Sequence, residues 1–97
     1  MMKILSIDTS GKFCSISIHL PNNTNEKINS ILPLSHSAEL AQNVKKIISK
    51  YNVKIKELNF IVINIGPGSF TGLRIGLSFA KGLSYSNNIP LIPINSF

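Results

Sequence analysis

The chain has one cysteine, one arginine, two histidines and four acidic residues among its 97. Each scarcity removes a class of chemistry. A lone Cys14 forms no internal disulfide and fits a reducing compartment. His19 and His36 do not form a metal motif, so no metal site is expected. They also leave Ser69 without a base, and Ser69 stands between Gly68 and Phe70 rather than in a G-x-S-x-G elbow. Asp8 and Glu39 are far apart, which gives no paired carboxylates for acid–base work. No catalytic residue is therefore assigned. No apolar run approaches the ~20 residues that a membrane span needs. Asp8 interrupts the first apolar stretch too early for a signal peptide. The expectation is a soluble, cytoplasmic chain of one domain.

Positive charge is what the sequence has in excess: ten basic residues against four acidic give +6. One reading is an anionic partner such as RNA, met directly through the Lys45–Lys56 region. The other is base composition, because sixteen Ile, eleven Asn and nine Lys suit an AT-rich gene. The lysines form no stripe interleaved with aromatics. Lys45, Lys46 and Lys50 come late in an expected helix, where cations complement the dipole.

Periodicity divides the chain into alternating elements. Lys3 to Thr9 reads as a short apolar strand ending in the polar turn Asp8-Thr9-Ser10-Gly11. From Phe13 to Leu20, Cys14, Ile16, Ile18 and Leu20 alternate with Ser15, Ser17 and His19, the period of a half-exposed antiparallel strand. Glu26 to Leu32 is a more polar strand expected at a sheet edge. Ser35 or Ser37 can cap a helix running to about Tyr51, with Leu40, Ala41, Val44, Ile47, Ile48 and Tyr51 as its buried stripe. Glu39, Asn43, Lys46 and Lys50 fall on the other side.

Phe60 to Ile65 is continuously apolar apart from Asn64 and reads as a central strand. It runs into Gly66-Pro67-Gly68-Ser69-Phe70, after which a second helix opens with Thr71 as N-cap and ends at Asn87-Asn88. Ile89 to Ile94 is a last strand, placed at an edge by Pro93. The order β-β-β-α-β-α-β with right-handed crossovers gives a mixed five-stranded sheet ordered 3-2-1-4-5, the ribonuclease-H-like arrangement.

The glycine turn is the best place for chemistry. It is neither a Walker A loop nor G-x-G-x-x-G, since no Lys-Ser/Thr follows Gly72 and Thr71 replaces the third glycine. Glycine amides there can cradle a phosphate. Equally, Gly68, Gly72, Gly76 and Ala80 make a flat helix face for close packing against the sheet, the first helix or another chain. Asp8 should emerge near this turn, where a carboxylate can hold Mg²⁺ or orient water. Arg74 sits in the first turn of the helix, where its charge opposes the dipole.

Several stretches together resemble a known family. Ile7-Asp8-Thr9-Ser10 with Cys14-Ser15-Ile16, His36-Ser37-Ala38-Glu39-Leu40, Gly66 through Gly76, Ala80-Lys81-Gly82-Leu83 and Ile89-Pro90-Leu91 look like TsaB (YeaZ). The match over Gly66–Gly76 is the most specific. The resemblance implies an actin-like ATPase-superfamily lobe, residues 1–97, without the second lobe that family members usually carry. It implies a non-catalytic scaffold subunit in making threonylcarbamoyladenosine at position 37 of tRNA. The implied partner is a TsaD-like catalytic protein, or a second copy of the chain, bound through the helices at 37–51 and 71–86. Leu40, Val44, Ile47, Thr71, Gly72, Ile75, Gly76, Phe79 and Ala80 are the implied interface. A TsaE-like ATPase is a further implied partner, tRNA is reached through the complex, and ATP or ADP with Mg²⁺ enters at the level of the complex. The alternative is an ATPase or phosphotransferase lobe that binds nucleotide or phosphate through Asp8, Thr9, Ser10, Gly66, Gly68 and Ser69.

Overall fold

In a computed structural model, which describes residues 2–9, 13–21, 25–31, 37–66 and 70–95, strand β1 (Ile4–Asp8) holds the centre of a mixed sheet. It pairs antiparallel with β2 (Phe13–His19) and parallel with β4 (Phe60–Asn64). β3 (Asn25–Ile31) flanks β2, and β5 (Leu91–Ile94) flanks β4, so the sheet reads β3-β2-β1-β4-β5. Helix α1 (Ser37–Lys50) contacts β2 and β3, and α2 (Phe70–Asn87) contacts β1, β4 and β5. The fold is of the mixed α/β class.

Alternation along the strands decides which face the helices cover. The registers Leu5↔Ile18, Ile7↔Ile16, Leu5↔Ile61 and Ile7↔Ile63 stack six aliphatic side chains on one face, all essentially inaccessible. Each contributes about 1.5–3 kcal/mol by leaving water. Leu40, Val44, Ile47 and Ile48 of α1 and Ala80 of α2 complete that core. The opposite face carries Ser6, Asp8, Ser15, Ser17, Val62 and Asn64.

α1 departs from its expected polar side at Asn43, which is buried rather than solvent-facing. Three residues after Leu40 and four before Ile47, it lies on the buried stripe itself. Thr71 is not an N-cap either, because α2 already begins at Phe70. Both helices end on an asparagine with positive φ, Asn52 (55°) and Asn88 (57°). At the first, Val53 N–H donates to Ile48 O and Asn52 N–H to Ser49 O, the paired bonds of a Schellman turn. The connector beyond it has a 3-10 turn over Ile55–Glu57. Glu57 accepts from the Lys54 N–H at 2.7 Å and from the Lys3 ammonium at 2.9 Å, while the Lys3 N–H donates to Asn59 Oδ1 and the Asn59 N–H donates to Lys3 O, both at 2.8 Å. These contacts pin the connector to the start of β1.

α2 approaches β1 much more closely than two ordinary side chains would allow. Thr9, just past β1 and fully buried, donates its hydroxyl to Gly72 O at 2.6 Å. A Cβ on Gly76 would lie 2.1 Å from Thr9 Oγ1 and 3.1 Å from Thr9 Cβ and Cγ2. The small-residue face of α2 is therefore spent on the chain's own sheet. Gly82 has nothing within 4 Å of where its Cβ would stand.

The same substitution should thus act oppositely at two positions of one helix. Gly82→Ala is expected to stabilise by about 0.5–1 kcal/mol through helix propensity. Gly76→Ala is expected to destabilise by about 1–3 kcal/mol, the range for overpacking, with partial recovery in Thr9→Ala/Gly76→Ala. Urea unfolding followed by circular dichroism measures both. The Lys54 amide and Lys3 ammonium hold the Glu57 carboxyl below its ordinary value of 4.5. A depressed folded-state pKa gives stability that is present above the unfolded value and lost as pH falls through the folded one. In acid titration of stability below about pH 4.5, Glu57→Gln should flatten part of the decline.

Candidate functional site

β1 and β4 run parallel and end side by side, with Ile7 opposite Ile63. The next residue on each strand, Asp8 and Asn64, meets across the open face. The Asn64 carboxamide donates to Asp8 Oδ2 at 3.2 Å, and its Oδ1 accepts the Gly66 N–H at 3.0 Å. Gly66 has φ 125°, a conformation side chains disfavour, so glycine is needed where the chain leaves β4. Asn64 is thereby a buried clip between the carboxylate and the first residue of the glycine turn.

Asp8 is half-buried and opens onto a shallow concavity of about 180 Å³. Ser6, Ser15 and Ser17 line it on the β1–β2 side, Val62 and Ile94 on the other. The register Asp8↔Ser15 and Ser6↔Ser17 brings the hydroxyls beside the carboxylate. Such a surface offers one carboxylate, several hydroxyls and an apolar wall. Among the described residues no three His, Cys, Asp or Glu side chains gather as a metal-ligating group.

The residues suggested for phosphate binding divide three ways. Asp8 and Gly66 are brought together through Asn64. Thr9 is buried with its hydroxyl committed to Gly72, which removes it from any ligand-binding role in this fold. Ser10, Gly68 and Ser69 lie outside the described residues, as does His36. Sequence reasoning overlooked Asn64, although a lone amide closing an apolar strand before glycine was the available signal.

The suggested interface residues divide as well. Leu40, Val44, Ile47 and Ala80 are buried in the chain's own core, and Gly72 and Gly76 face Thr9. These six present no surface to a partner, because the apolar stripe that looks adhesive in sequence covers the sheet. Ile75 and Phe79 are half-buried on α2 and keep part of their apolar surface outside, and Thr71 lies in the same helix.

Comparison with known proteins fits this architecture. The model of the family described as TsaD, tRNA N6-adenosine threonylcarbamoyltransferase, matches residues 22–97. The chain belongs to that family. Within it, the chain is similar to the tRNA threonylcarbamoyladenosine biosynthesis protein TsaB of Buchnera aphidicola subsp. Acyrthosiphon pisum, 36% identical over 96 residues. That alignment takes in 96% of this chain but 42% of the relative, so the chain spans about two fifths of the length of the TsaB it matches. The solved structure of YeaZ from Pseudomonas aeruginosa superposes with TM-score 0.89 at 26% identity, over 98% of this chain and 44% of that one. RuvC of T. thermophilus, bound to a Holliday junction substrate, shares the fold at TM-score 0.63 and 7% identity, over 99% of this chain and 66% of that one.

The family match takes in Asn64 and Gly66. Asn64→Leu, close in size but unable to accept, should cost about 1–3 kcal/mol by leaving the buried Gly66 N–H without its acceptor. Chemical denaturation of this variant beside the parent chain checks it.

Proposed function

We propose that the chain is a ribonuclease-H-like lobe of the actin-like ATPase superfamily that serves as a non-catalytic scaffold in threonylcarbamoyladenosine formation on tRNA. The observation that carries this reading is the similarity to TsaB and YeaZ along nearly the whole chain, in sequence and in backbone alike. Residues 1–97 then correspond to an N-terminal lobe, working in the cytoplasm beside a TsaD-like catalytic partner or as a homodimer. A TsaE-like ATPase and ATP or ADP with Mg²⁺ belong to the assembled complex.

The docking surface, on this reading, is the outer flank of α2. Ile75 and Phe79 supply apolar area there, while the sheet-facing side of the helix is already used. A half-exposed Ile and Phe close together on one helix suit the apolar centre of a small interface. A second reading, an ATPase or phosphotransferase lobe, draws support from Asp8 beside the glycine turn. It requires Mg²⁺-dependent ATP binding that disappears in Asp8→Ala.

Light scattering on size-exclusion chromatography, with the chain alone and mixed with a TsaD protein, tests the scaffold reading. A one-to-one complex is expected, weakened at least about tenfold in Ile75→Asp/Phe79→Asp, since central interface residues are worth more than 1–2 kcal/mol each. An unweakened complex with the variant places the interface elsewhere, and no complex with the parent chain removes the scaffold role.

A further inference from the structure

Five lysines occupy the twelve positions from 45 to 56, and no acidic residue occurs from Leu40 through Lys56. Lys45, Lys46 and Lys50 are exposed on α1, and Lys54 and Lys56 are exposed on the connector. The Schellman turn at Asn52 folds the connector back at the end of α1, with Val53 N–H bonded to Ile48 O at 2.9 Å. Lys54 therefore follows Lys50 around a tight corner instead of trailing along an extended strand. The far end of this segment is fixed as well, since Glu57 is held by the Lys3 ammonium and the Lys54 amide. The result is a lysine-bearing surface, all five side chains exposed, on a backbone tied at both ends by these bonds.

We infer that this surface binds the phosphate backbone of folded RNA directly. Two features favour nucleic acid over an acidic protein. Lysine is depleted from protein–protein interface centres, which rely on aromatic and apolar anchors. Among the described residues, the exposed large apolar ones are Met2, Ile65, Tyr85, Ile92 and Ile94, all outside 40–57, and Tyr51 is half-buried with the Lys50 ammonium 5.7 Å from its ring. Phosphate binding needs no such anchor, because an ammonium pairs with phosphate as a point charge. The choice of RNA over DNA rests on the proposed function, whereas the phosphate contact itself does not.

Phosphate contacts carry no base information, so binding should be indifferent to sequence and strongly dependent on salt. Unmodified tRNA titrated with the chain alone, read by fluorescence anisotropy, is the test. With four to five contacts, log affinity is expected to fall against log salt with a slope of about −3 to −4, or roughly 100-fold between about 50 and 200 mM. Lys45→Ala/Lys46→Ala/Lys50→Ala, on an exposed helix face where alanine preserves helicity, should reduce the slope by about two to three. Lys81→Ala on α2 should leave it within one. Absent or salt-insensitive binding, or a triple variant that binds like the parent, overturns the inference. Equal affinity for duplex DNA of matched length overturns the assignment to RNA. Because the partner protein is not in the assay, a failed scaffold complex and a failed RNA contact read out separately.

Discussion

The seat of α2 on Thr9 is the contact the rest of the structure depends on. A glycine at position 76 lets the helix backbone come within reach of a threonine that closes the central strand, and the threonine hydroxyl reaches the carbonyl of Gly72. The bond does two things. It satisfies a hydroxyl that has no access to water, at a site where an unmade bond would cost about 1–3 kcal/mol. It also fixes the height of α2 over the sheet, which lets Ala80 reach the core with only a methyl group. A larger residue at 76 would lift the helix and open space under Ala80. The glycine that sequence reasoning could assign equally to a partner or to the sheet belongs to the sheet.

The edge strand shows how a residue unfavourable in a sheet is accommodated. Pro90 O, just before β5, and Ile94 O at its end accept from Ile61 N–H and Ile65 N–H, so residues 90 and 94 point their backbone groups at β4. Alternation turns Leu91 and Pro93 outward. Pro93 therefore lacks a donor where none is needed, and it removes one from the sheet edge, where a further strand would pair. At the other end of α2, Ile89 N–H returns to Ser84 O and Ser84 donates to Ile89 O, closing the helix around Asn88 before β5 begins. Both helix ends use asparagine where glycine is commonest, because its side chain tolerates positive φ.

Much of this was legible from residue patterns, for a physical reason. The alternation around Ile16 and Ile18 and the helical spacing of Leu40, Val44, Ile47 and Ile48 reflect burial, which acts on every residue of an element and so leaves a repeated mark. What the pattern hid were single contacts. Thr9 sits in a polar run that reads as an exposed turn, yet it is fully buried. Asn43 and Asn64 are polar residues inside otherwise apolar stripes, and a stripe says nothing about which polar group has found a partner inside it. Leu40, Val44, Ile47 and Ala80, suggested for an interface, are buried in the core for the same reason: an apolar helix face looks the same whether it covers a sheet or another protein.

Asp8 and Thr9 are neighbours, and the alternation of an extended chain sends them to opposite faces of the sheet. The threonine anchors α2 on the covered face, and the carboxylate stands on the open one beside Asn64 and the serines. A single dipeptide thus links the position of the helix to the position of the carboxylate that lines the concavity. The link is stiff, since Asp8 still pairs with Ser15 across β2 and is tied through Asn64 to the first residue of the turn that feeds α2. A shift of α2 against the sheet therefore bears on Thr9, the residue next to Asp8. The seat of α2 and the geometry around Asp8 thus share one short stretch of backbone, Asp8–Thr9.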